Sequence, residues 1–215
     1  MKTLIAISAL FLIPGCASRS SIYRVAAPLN AVASYFGSVA IHESGHALSA
    51  SVSGADKINV SILPGHHEGI IHLGFTTATF SHPISSIDET FFNVSGTLTE
   101  LAAHIACRSM LRSGLVPEEL QPTAQWLSLA TMIGVYGECI MGLARSPGKD
   151  LAKEDIWIGA AILGGALVFD LLDMLTDTAD RYIGVLFGEK FYSRNGRTIL
   201  RFISNGRFFG IGGDF

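Results

Sequence analysis

The sequence predicts a mainly helical, membrane-associated bundle with a small β insertion. Three observations carry that prediction. The 215 residues are 49% hydrophobic and 15% charged, with a mean hydropathy of +0.42, whereas ordinary soluble domains carry about 25% charged residues. Stretches around 29–51, 124–145 and 156–175 approach the roughly 20 apolar residues that cross a bilayer. After the first of them, residues 58–82 change to β-branched runs broken by turn residues.

The elements follow in chain order. Met1-Lys2-Thr3 is a short basic start, and Leu4 to Pro14 is an apolar segment too short to span comfortably. Ile13-Pro14-Gly15-Cys16 resembles a bacterial lipobox, in which Cys16 is acylated and becomes the first mature residue. The alternatives are an ordinary signal peptide cut near Ala17 or an uncleaved anchor. Residues 1–16 thus read as a targeting segment, 17–27 as a polar linker, 28–180 as one helical domain and 181–215 as a basic tail. An acyl chain on Cys16 adds membrane anchoring, with membrane lipids as partners.

A first helix is expected over 28–52, ended by Gly54 and Asp56. Ile58–Leu63 and Ile70–Thr76 flank Pro64-Gly65-His66-His67-Glu68-Gly69 and read as a hairpin or small sheet. Residues 83–90 read as a polar loop and Phe91–Leu111 as a helix. Its Glu100, His104 and Arg108 stand at i, i+4 and i+8 and share a face. Gly114–Pro122 is an acidic loop, Trp126–Leu143 an apolar helix and Arg145–Asp155 a charged loop. Ile156–Leu175 is the most apolar segment, with Asp170 and Asp173 near its end. Small-residue groups such as Gly159-Ala160-Ala161 and Gly164-Gly165-Ala166 suit close helix packing in a bilayer. The formal net charge of −3 argues against nucleic acid as a partner. Cys107 and Cys139 lie in apolar stretches without a C-x-x-C and read as small hydrophobes.

Chemistry concentrates in His42-Glu43-Ser44-Gly45-His46. This H-E-x-x-H pattern is the signature of zinc-dependent hydrolases. Positions i and i+4 lie on one helical face, so both imidazoles reach one Zn2+ ion. Glu43, one residue on, is free to act as a general base on water. Random placement of this composition gives roughly 0.01 such matches. The apolar run Ala31–Ile41 leads straight into the motif, so the ionisable groups interrupt a helix that is otherwise apolar.

Together with Ile41 before it and Ala47-Leu48-Ser49-Ala50 after it, this motif resembles the site-2-protease family of membrane-embedded zinc metallopeptidases. The resemblance covers residues 29–112 loosely and 140–175 more loosely. It implies a bacterial cell-envelope metalloendopeptidase acting on a peptide or membrane-protein substrate. It also implies a third zinc ligand, an Asp at the start of a later transmembrane helix. Asp150 in Ser146-Pro147-Gly148-Lys149-Asp150-Leu151-Ala152 is the best candidate, and Asp155 is its neighbour. The family's usual Asp-Gly pair is missing here. Glu100-Leu101-Ala102-Ala103-His104 resembles instead the Glu helix of lipid-anchored gluzincins, which would make Glu100 the third ligand. A non-catalytic membrane protein that keeps its histidines for metal or partner binding is the other alternative. His66, His67, Glu68 and His72 read as a polar turn, with a second metal site or a substrate-holding strand as the alternatives.

Overall fold

The computed structural model describes residues 19–67, 70–145, 150–154, 156–192, 201–204 and 209–212. Cys16 and the rest of the targeting segment lie outside them, as does Asp155. Helix α1 runs Arg19–Val52. The stretch read as a linker is therefore helical from Arg19 onward. The reason is tertiary: Tyr23 packs edge-on against Phe191 and over Gly188, and Arg24 pairs with Glu189. Local composition carries no trace of these distant partners.

The insertion is one long hairpin built as two nested antiparallel ladders. Strand β1 (Lys57–Ser61) pairs with β4 (Phe75–Thr79), from Lys57 opposite Thr79 to Ser61 opposite Phe75. Farther out, β2 (Gly65–His67) pairs with β3 (Ile70–His72).

Helix α2 (Ser86–Arg112) starts earlier than its apolar periodicity suggests. Ser85 caps it by accepting the Asp88 N–H at 3.1 Å and donating to the Asp88 carboxylate at 2.7 Å. This reciprocal cap draws part of the expected 83–90 loop into the helix. Ser53 Oγ, just past the end of α1, also donates to Asp88 at 3.2 Å. A 3₁₀ turn (Glu118–Leu120) leads into α3 (Gln121–Leu143), and a second (Asp150–Lys153) precedes α4 (Ile156–Thr176). The region read as a basic tail holds more structure than its charge suggests. It begins within α5 (Ala179–Leu186), which Thr178 caps, and β5 (Arg201–Ser204) pairs with β6 (Phe209–Gly212) farther on.

Helices α1, α2 and α3 pack mutually, and α4 lies against α3. The α1–α2 crossing is close because position 45 has no side chain. A Cβ on Gly45 would stand 2.5 Å from both the Ser95 carbonyl oxygen and Thr99 Oγ1. One apolar cluster joins Val94, Val135, Cys139, Leu151, Ile162 and Ala166. A smaller one joins Leu111, Val185 and Tyr192 at the opposite end. Cys139 is fully buried and Cys107 half-buried, and both are free thiols. Two helical stretches, Glu118–Leu143 and Ile156–Thr176, are long and apolar enough to cross a membrane.

Candidate metal centre

His42 and His46 stand one turn apart on α1, with their Nε2 atoms 3.0 Å from each other. The far side of each ring fixes its tautomer. Nδ1–H of His46 donates to the Phe92 carbonyl oxygen at 2.6 Å. A carbonyl has no proton to give, so Nε2 of His46 carries the lone pair. Nδ1–H of His42 donates to Glu100 Oε2 at 3.1 Å. Glu100 is itself held by the Ser38 hydroxyl, which donates to Oε1 at 2.5 Å.

The third member arrives from the turn before α4. Asp150 Oδ2 lies 3.2 Å from His46 Nε2 and 3.5 Å from His42 Nε2. With both rings neutral, three acceptor atoms thus converge with no donor among them. Such an arrangement needs a cation or extra protons to be stable. Its dimensions suit a metal: a tetrahedral ion with ligands at about 2.0–2.1 Å sets its ligand atoms about 3.3 Å apart. His42, His46 and Asp150 are also a group of the described residues whose ligand atoms all lie within 4.8 Å of one another. Burial opposes charge on Asp150, but a proton on the facing nitrogen of His42 or His46 would donate to it and hold its carboxyl well below the usual carboxylate range.

Space for the group is made by a glycine. A Cβ on Gly96 would lie 2.5 Å from His46 Nε2 and 2.6 Å from His42 Nε2. Helix α2 therefore presents bare backbone to the two Nε2 atoms.

Glu43 is buried beside the triangle and is held from the hairpin. The Thr76 hydroxyl donates to Glu43 Oε2 at 2.7 Å and lies 3.1 Å from its backbone carbonyl. Gly74, two residues earlier, leaves room for Glu43 Oε1, since a Cβ there would come within 3.0 Å of it. Thr76 of strand β4 thus fixes one carboxylate oxygen by a hydrogen bond, and Gly74 just before the strand makes room for the other.

Glu100 is not a member of the triangle. It stands behind His42, on Nδ1, where it orients the ring and raises its basicity as carboxylates do for metal-binding histidines. His104 and Arg108, its neighbours on the same face, join a separate buried network. Nε2–H of His104 donates to Asp170 at 2.8 Å, and Tyr136 donates to the other oxygen of Asp170. Ser128 Oγ lies 2.9 Å from His104 Nδ1. Arg108 bonds Asp173 and Asp177, and Arg112 bonds the second oxygen of Asp173. His104, Arg108 and Tyr182 with these three aspartates line a cavity of about 290 Å³.

The sequence reading missed Ser38, Thr76, Gly96 and the Phe92 carbonyl. None has a spacing signature, because each meets the motif across the bundle. The side chains of His66, His67, Glu68 and His72 lie outside the described residues. Comparison with protein-family models, with curated proteins and with solved structures finds no match to this chain.

Proposed function

We propose that the chain is a zinc-dependent metalloendopeptidase working at or in a bacterial membrane. One observation carries the reading: two imidazole Nε2 atoms and one carboxylate oxygen, 3.0 to 3.5 Å apart, converge beside a buried glutamate. His42, His46 and Asp150 would hold the ion, matching the three protein ligands that a catalytic zinc site uses. A zinc ion there would supply a Lewis acid to polarise the scissile carbonyl and acidify water. Glu43 takes the proton of the attacking water and returns it to the leaving amine. Thr76 keeps that carboxylate from swinging away. The substrate must be extended to be attacked, and the β1–β4 ladder beside Glu43 offers strand pairing to an extended peptide.

Membrane residence is supported by where the apolar residues point. Only 28% and 22% of the apolar windows in Glu118–Leu143 and Ile156–Thr176 are buried, whereas a soluble core helix would hide most of its surface. Ile133, Ile140, Leu167, Leu171 and Leu175 all face outward. Membrane lipids are thus the partners of this surface, and Cys16 acylation would add to it.

The gluzincin alternative, with Glu100 as ligand, has the weaker geometry because Glu100 meets His42 on Nδ1. The test is metal analysis joined to hydrolysis. Wild-type protein should carry one zinc, and His46→Ala and Asp150→Ala should lose it. Glu43→Gln should keep the metal and lose cleavage of an unfolded protein such as casein. Stoichiometric zinc in His46→Ala sinks the metal assignment. Equal hydrolysis by Glu43→Gln sinks the catalytic one and leaves a metal-binding membrane protein.

A further inference from the structure

Asp150 lies 104 residues beyond His46, on a short turn, and a ligand on a turn needs something to hold it still. Two anchors are visible. Leu151 is 3% exposed and sits in the apolar cluster with Val94, Val135, Cys139 and Ile162. The second anchor is polar. Glu154 is 9% exposed, a depth at which a carboxylate is retained only when well paired. Asn93 Nδ2 donates to its Oε1 at 2.7 Å, and the Thr90 hydroxyl donates to its Oε2 at 2.8 Å. Its backbone carbonyl accepts from Arg145 Nη1 at 2.5 Å, tying the turn to the end of α3 as well.

Thr90 and Asn93 bracket Phe92, the residue whose carbonyl orients His46. Ser95 Oγ lies 3.4 Å from His46 Nδ1, and Gly96 faces the Nε2 atoms of both histidines. One stretch of α2, residues 90–96, thus grips the His46 ring on one side and the Asp150 turn on the other. We infer that Glu154 is a positioning residue of the metal centre: through Asn93 and Thr90 it clamps the Asp150 turn to the part of α2 that holds His46, and so sets the distance between those two ligands. This rests on the metal centre proposed above. It assigns Glu154, Asn93 and Thr90 a role in metal affinity that neither the H-E-x-x-H motif nor its resemblance supplies.

The test is zinc affinity of the purified full-length protein in detergent, measured by competition with a fluorescent zinc chelator. The cobalt-substituted visible spectrum gives the coordination geometry. Glu154→Ala should weaken zinc binding about 10- to 100-fold, the range seen when outer partners of metal ligands are lost. Asn93→Asp should weaken it too, by setting a second carboxylate against the first. The double variant Asn93→Asp/Glu154→Gln restores a carboxylate–amide pair with donor and acceptor exchanged. It should recover affinity to within about threefold of wild type, the non-additivity expected of residues in contact. Thr90→Val, a milder change, covers the case in which Glu154→Ala does not fold. Thermal melts of the zinc-free proteins separate the roles, since a merely structural anchor would lower the melt and leave zinc affinity alone. The clamp is overturned if the single variants that fold bind zinc as wild type does, or if the double variant is no better than the worse single one. Wild-type protein that binds no zinc through His42 and His46 overturns the metal centre itself, and the clamp with it.

Discussion

Gly96→Ala adds one methyl group and removes no ligand, yet it should empty the metal centre. The added Cβ would lie 2.5 Å from His46 Nε2 and 2.6 Å from His42 Nε2. Carbon and nitrogen that are not bonded sit at about 3.5 Å, so both rings would have to retreat by roughly 0.9 Å. Metal sites hold their ligands to within about 0.2 Å. His46 cannot retreat cheaply either, because its Nδ1–H is bonded to Phe92 on the same helix that carries the new methyl. A displacement that exceeds the tolerance several-fold should cost at least about 100-fold in zinc affinity, or about 2.7 kcal/mol. The change works in the opposite sense on the helix, since alanine in a helix interior is favoured over glycine by about 0.5–1 kcal/mol. The zinc-free variant should therefore fold, and competition with a chelator should read the loss of zinc directly. A Gly96→Ala protein that folds and binds one zinc at wild-type affinity would refute the argument, because Nε2 of both histidines could not then be the ligating atoms.

Other consequences can be checked in the same protein. Thr76→Val should retain zinc and lose at least about tenfold in turnover, the worth of one hydrogen bond to a charged group, while Thr76→Ser should keep most of it. Unchanged turnover in Thr76→Val would show that Glu43 needs no such restraint. Arg108→Leu leaves Asp173 and Asp177 without their shared cation and should cost about 3–5 kcal/mol in denaturant unfolding. A cost under 1 kcal/mol would mean the aspartates are solvated or protonated in the native state. Ser85→Ala should destabilise by about 1 kcal/mol through loss of the α2 cap. Asp88 adds a pH signature, because the Ser85 hydroxyl and then Ser53 hold its carboxyl below the ordinary value. Its contribution is present above the unfolded carboxyl pKa and is lost as pH falls through the folded one. The stability gap between wild type and Asp88→Asn should close in that acid range, and a gap that persists there would contradict it.

Part of this centre was legible in the amino-acid order and part was not. His42 and His46 were, because helical spacing alone brings them to one face. Asp150 was reachable only through a family resemblance, since spacing carries no information across 104 residues and an intervening hairpin. Glu100, His104 and Arg108 were visible as one face of one helix. Which helix would meet that face was not, so the glutamate could be read as a ligand, whereas in the structure it stands behind His42. The Ser85–Asp88 cap was written in the sequence as S-x-x-D, but apolar periodicity starts later and drew the boundary to Phe91. Thr76, Asn93 and Glu154 left no signal, being single polar residues whose partners lie on other elements. The N-terminal extension of α1 escaped for the same reason, as its partners at 188–191 lie at the far end of the chain.

The line of Glu100, His104 and Arg108 along α2 has one more consequence, for how the helix knows which way to face. All three are at most 3% exposed. The hydrophobic effect is non-directional, so burial of apolar side chains alone distinguishes poorly between neighbouring rotations of a helix about its axis. Turning α2 by a single residue, about 100°, would swing an acid, an imidazole and a guanidinium away from their buried partners together. The three act as a key with teeth at successive depths: Glu100 fits His42 and Ser38, His104 fits Asp170, and Arg108 fits Asp173 and Asp177. A helix that satisfies one tooth satisfies all three. The rotation that seats Arg108 at one end of the bundle is then the same rotation that sets Gly96 against the histidines at the other.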